Sequence, residues 1–107
     1  MNAFRSLIIL VSAFASLPAA AWDGAPSGMI TAFDVTGGQN YGFRVYLAGV
    51  SDYCGATPYN WPYLNEADSN YKTYVAALMM AKATGSPVTL YLTREGGGCK
   101  IGYISVR

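Results

Sequence analysis

The chain has 107 residues, seven Lys or Arg against six Asp or Glu, and no histidine. That length fits one domain. The lack of histidine excludes Ser-His-Asp and Cys-His catalysis and most zinc sites. A formal net charge of +1 gives no basic footprint for nucleic acid and no polybasic patch for anionic lipid.

Residues 1–21 read as a cleaved secretory signal peptide. Arg5 supplies the positive start, Leu7–Phe14 the apolar run, and Ala19-Ala20-Ala21 the small residues before the cut. Pro18 and Asp23 end the run short of the roughly 20 apolar residues of a membrane span. Cleavage before Trp22 leaves residues 22–107 as a single mature domain, secreted or periplasmic, with no integral membrane segment. Losing Arg5 takes the formal charge to zero. In an exported chain the two cysteines read as one disulfide, Cys54–Cys99, ahead of free thiols or a metal pair. It closes a loop of about 45 residues, worth about 4 kcal/mol in the chain-entropy model. A domain with so small a core gains from that staple.

Trp22–Gly28 is short and irregular. Met29–Thr36 alternates, with Met29, Thr31, Phe33 and Val35 on one side, and reads as a half-buried strand. Gly37-Gly38-Gln39-Asn40 is turn chemistry, and Gly42–Val50 alternates again, so the two runs predict a hairpin. Ser51–Leu64 is an aromatic loop with room for a short strand. It carries Tyr53, Tyr59, Trp61 and Tyr63. These rings either stack on sugars or cap one end of the fold; capping is preferred, with Trp61 as the plug. Asn65 is the expected helix N-cap, with Glu66 and Asp68 in the first turn. The helix is expected to run to about Thr84 and stop at Gly85 and Pro87. Val88, Leu90 and Leu92 alternate with Thr89, Tyr91 and Thr93 in the next strand. Arg94–Gly98 is a glycine-rich turn. Cys99–Val106 is the last strand, with Ile101 and Tyr103 on one face and Ile104 and Val106 on the other. The order is β-β-(loop)-α-β-β. This predicts an α+β, mainly β fold, a small antiparallel barrel of the oligosaccharide/oligonucleotide-binding (OB) type with one central helix.

The helix is apolar nearly all round. Tyr71, Tyr74, Val75 and Leu78 form a face that would cover the barrel, and Thr73, Ala76, Ala77, Met80 and Ala83 form the opposite one. A helix of that kind is usually covered on both sides, so the second face reads as a subunit interface. The alternative is an alanine-rich face that simply tolerates water. No catalytic constellation is present. The acidic residues are scattered, and Gly96–Gly98 lacks the Lys-Ser/Thr of a phosphate loop.

Two segments carry a resemblance. One is Asp23-Gly24-Ala25-Pro26-Ser27-Gly28 leading into a strand. The other is Trp61, the helix, then Thr84-Gly85-Ser86-Pro87-Val88-Thr89-Leu90-Tyr91. Together they resemble the binding (B) subunit of subtilase cytotoxin and its relatives in typhoid and pertussis-like toxins. The resemblance implies an OB fold, a ring-shaped homopentamer with helices lining the pore, and an enzymatic A subunit docked there. With no histidine and no cluster of charged residues, no enzymatic activity is expected of this chain, and no cofactor or metal. The resemblance also implies a pocket for a cell-surface glycan, usually ending in sialic acid, with Ser27, Tyr91 and Asp23 as the positions carried over. The chemistry suits them: hydroxyl and carboxylate groups bond sugar hydroxyls, and a tyrosine offers a ring face. The alternative is a secreted or periplasmic structural or protein-interaction module on the same fold that binds no glycan.

Overall fold

The computed structural model describes residues 21–107. The expected signal peptide lies outside the described residues, apart from Ala21. The elements are β1 (Ser27–Gly28), β2 (Ile30–Val35), β3 (Phe43–Leu47), β4 (Pro62–Leu64), α1 (Tyr71–Thr84), β5 (Val88–Glu95) and β6 (Gly98–Val106). The fold is α+β: one six-stranded mixed sheet, in the order β1-β5-β6-β4-β3-β2, with one helix. All pairings are antiparallel except β4 with β6. β1 and β2 lie at opposite ends of that order, yet only Met29 separates them in the chain. No hydrogen-bonded ladder joins them among the described residues, so the sheet is open as paired.

The core sits between the sheet and α1. Val45, Leu64, Leu78, Leu90 and Leu92 have no exposed surface. Burial of such side chains supplies most of the folding free energy, at about 25 cal/mol per Å² of apolar surface. β3 and β5 alternate buried and half-buried positions as the sequence alternation requires.

Two strands break their expected alternation, each at a bulge. In β2 the register shifts between Ile30 and Ala32, so Ile30 is buried while Met29 and Val35 are exposed. In β6 the register shifts opposite the Tyr91/Leu92 step: Leu92 pairs with Ile101 and Tyr91 with Tyr103, leaving Gly102 as the extra residue. A bulge turns the following side chain to the other face. Ile101 is therefore 2% exposed and Tyr103, expected beside it, is 53% exposed.

The helix starts later than its caps suggested. Asn65–Asn70 is a turn in which Asp68 Oδ2 accepts the Asn65 N–H at 2.7 Å. The cap position is Asn70, in a left-handed conformation and without a side-chain cap bond, and the first turn holds no acidic residue. The left-handed φ of 63° at Asn70 breaks the chain's helical course, so the helix begins only at Tyr71. The C-terminal end is as expected. Gly85 adopts φ 70°, and its N–H and that of Ser86 reach back to the carbonyls of Lys82 and Ala81. Leu78 and Ala81 are buried, with Tyr71, Tyr74 and Val75 packed against the core.

The disulfide Cys54–Cys99 is present. It ties the aromatic loop to β6. Within that loop the Asn60 side chain accepts from the N–H groups of Tyr53, Cys54 and Gly55 and donates to Asp52 Oδ1.

Candidate functional site

β1 and the residues before it run along the edge of β5. Ser27 pairs with Thr89, the Leu90 N–H donates to the Pro26 carbonyl, and the Leu92 N–H donates to that of Gly24. Leu90 and Leu92 point into the core. Thr89, Tyr91 and Thr93 therefore lie on the outer face, since side chains alternate along a strand. Ser27 shares it: its Oγ is 2.6 Å from Thr89 Oγ1. Across β6, Tyr103 lies opposite Tyr91, and Ser105 opposite Thr89.

Trp22 completes this face. Its ring centroid is 5.7 Å from that of Tyr91 and 6.3 Å from that of Tyr103, nearly parallel to the latter, and Tyr91 and Tyr103 are 4.8 Å apart. The indole lies on the backbone of Gly102, where a Cβ would come within 2.8 Å of Trp22 Cζ3. A glycine inside a strand often marks such an approach. The result is an apron of three rings beside a row of hydroxyls.

Of the three expected glycan positions, Ser27 and Tyr91 share this face, although Trp22 and Tyr103 flank the half-buried Tyr91 ring. Asp23 is turned aside. Its Oδ2 accepts the Arg94 backbone N–H at 2.8 Å, and its Oδ1 lies 3.4 Å from Arg94 Nη2. That pairing places it in a neighbouring cleft of about 530 Å³, with Gly24, Asp52, Tyr53, Gly55 and Arg94 among its walls. Trp22, Thr89, Tyr103 and Arg94 were not singled out from sequence as site residues. The legible signal for two of them, Trp22 and Tyr103, was Gly102, a glycine in the interior of the last strand.

The aromatic loop mainly packs. Tyr53 is buried, and its hydroxyl accepts the Leu47 N–H at 2.9 Å. Tyr63 is buried and donates to the Glu95 carbonyl at 2.9 Å. Tyr41 sits among Tyr59, Trp61 and Tyr63, with its hydroxyl on the Gly96 carbonyl. Trp61 is half-buried beneath the Arg44 guanidinium, 4.5 Å from the ring centroid. Tyr59 alone of the four expected loop aromatics is exposed.

On the far side of α1, Thr73, Ala76, Met80 and Ala83 are exposed and Ala77 is half-buried. Thr73, Ala76, Ala77 and Met80, with Lys72 and Val106, border an apolar groove of about 570 Å³. Met79 and Met80 are 54% and 65% exposed. No helix among the described residues is long and apolar enough to cross a membrane. No group of three or more acidic or cysteine side chains among them converges as a metal site would require. Comparisons with family models, curated proteins and solved structures give no match.

Proposed function

We propose that this chain is an exported, non-enzymatic glycan-binding protein of the B-subunit type, assembling as a ring and taking a sialic-acid-terminated glycan on the outer face of β1, β5 and β6. The observation that carries this reading is the pairing of fixed hydroxyls with a cluster of rings on one surface: Ser27 and Thr89 beside the half-buried Tyr91 and the exposed Tyr103 and Trp22. Sugars present both hydroxyls and apolar C–H faces, so a site for them needs both. Ser27 donates to the sialic acid carboxylate or accepts from a ring hydroxyl, and the aromatic apron meets the apolar face.

The finer fold assignment, an OB-type barrel, belongs to the same proposal. Its support is that β1 and β2, at opposite ends of the strand order, are one extended stretch interrupted only at Met29. The assembly rests on α1. Its outward face of Thr73, Ala76, Ala77, Met80 and Ala83 is an unpartnered apolar strip, as a pore-lining helix that also seats an A subunit requires. Shallow sites repeated around a ring act together by avidity.

A second reading, an interaction module without glycan binding, draws on one observation. The Ser27 hydroxyl is already engaged with Thr89, and Tyr91 is flanked on both sides. Ser27→Ala separates the two. Under the glycan reading it abolishes retention on a sialoglycan surface and leaves the solution mass of the oligomer unchanged. Equal retention of wild type and variant would sink the assignment of Ser27.

A further inference from the structure

The cleft of about 530 Å³ beside the outer face has a composition of its own. Three segments build it: the approach to β1 at Asp23–Pro26, the disulfide-tied loop at Asp52–Gly55, and Arg94 at the end of β5. They pack tightly, since a Cβ on Gly24 would overlap the Tyr53 carbonyl oxygen. Its polar groups are held before any ligand arrives. Arg94 Nη1 donates to the Cys54 carbonyl at 2.9 Å while Nη2 faces Asp23. Asp52 Oδ1 accepts from the Gly55 N–H and from Asn60 Nδ2. The volume lies in the range of about 300–1,000 Å³ typical of small-ligand pockets, and fixed donors and acceptors lower the cost of binding.

Charge decides what enters. Asp23 and Arg94 neutralise one another, which leaves the Asp52 carboxylate uncompensated among the walls. An anionic ligand meets that negative charge. A neutral polyol does not: one hydroxyl donates to Asp52 while its neighbour accepts from Arg94, both charge-assisted. We propose that this cleft is a second subsite that takes an uncharged hexopyranose unit through adjacent hydroxyls, with Asp52 as acceptor and Arg94 as donor. The proposal rests on the glycan reading above, and separates the unit bound here from the acidic unit assigned to Ser27 and Tyr91.

The test is an NMR titration of the isotope-labelled exported protein with paired probes. Methyl galactoside, glucoside, mannoside and fucoside are compared with methyl galacturonide and glucuronide, at up to tens of millimolar. The expected result is that at least one neutral sugar shifts the Gly24, Gly55 and Arg94 signals, and that its uronic acid counterpart, where the pair exists, binds more weakly. Asp52→Asn, which keeps the shape, lowers the neutral sugar's affinity about tenfold and narrows the neutral-to-acidic gap. The amide fingerprint shows whether the variant is folded, and the wild-type pairs decide the question without it. Stronger shifts with the uronic acids, or shifts confined to other surfaces, overturn the proposal. If sialyllactose moves Ser27, Thr89 and Tyr91 while no neutral sugar moves the cleft, the glycan reading stands and the second subsite falls. If no sugar moves either set, both fall.

Discussion

Tyr63 and Lys100 respond to alkaline solution in the same direction. Burial first, and then the Glu95 carboxylate, push the Tyr63 phenol from 10.0 up to about 12. The hydrogen bond to Asp68, 2.9 Å away, holds the Lys100 ammonium above its ordinary 10.5. In both cases the folded state keeps a proton that the unfolded state gives up. Stability is therefore full below about pH 10 and falls as pH rises toward 12. Urea midpoints measured across that interval should decline. Tyr63→Phe, which removes the Glu95 bond at a cost of about 1 kcal/mol near neutrality, should make the decline shallower. Gly102 predicts a different effect. Gly102→Ala puts a methyl into the Trp22 ring, so it should displace the indole, red-shift its fluorescence and cost about 1–2 kcal/mol. If Trp22 contributes to the glycan face, retention on a sialoglycan surface falls with it. At this scale the sequence was legible where a residue's chemistry is local. Tyr91 reaches the outer face because alternation along β5 puts it there, and Ser27 joins it by pairing with Thr89. The pairing of Asp23 with Arg94 was not legible, because the two lie 71 residues apart in the chain. No pattern within one strand reveals a carboxylate turned toward a distant backbone N–H.

At the scale of elements, periodicity located the two-stranded segments, the helix and its apolar faces, and composition located the disulfide. The two strand errors share one cause. The bulges in β2 and β6 each insert one residue, and one residue inverts every later side chain. Tyr103 thus leaves the face of Ile101, where it was expected, for the outer one, where it joins Trp22 and Tyr91. The late helix start has a local origin of its own in the left-handed Asn70, which a capping rule applied to Asn65 does not anticipate. Two predictions belong here. Replacing both Cys54 and Cys99 by alanine removes the staple between the aromatic loop and β6. It should lower stability by about 4 kcal/mol, read as a fall in the urea midpoint. Met80→Glu places a charge on the outward face of α1, where Met80 is 65% exposed. An exposed substitution costs the monomer little, but a charge buried in an interface without a partner is expensive. The variant should stay folded by circular dichroism and show a lower mass by light scattering. Wild type at monomer mass would remove the interface reading and leave an alanine-rich face in water.

For the whole molecule, the arrangement separates two surfaces. The helix presents an apolar strip on one side, and the β1–β5–β6 face carries rings and hydroxyls on another. A protein that assembles through one surface and recognises a ligand through the other needs such a division. The sheet order explains why the β1–β5–β6 face gathers residues from both ends of the described chain: β1 near the start pairs with β5, and β6 at the end lies beside it. Element order made that neighbourhood foreseeable, whereas its side chains depended on the bulge at Gly102. The proposed function requires that the β1–β5–β6 face recognise an acidic glycan terminus. The direct measurement is retention of the wild-type protein on a sialylated glycoprotein surface before and after sialidase treatment of the same surface. The proposed function predicts strong retention that falls at least about tenfold once the terminal sialic acid is removed. Retention that is unchanged by the treatment, or that is missing from both surfaces, would contradict it.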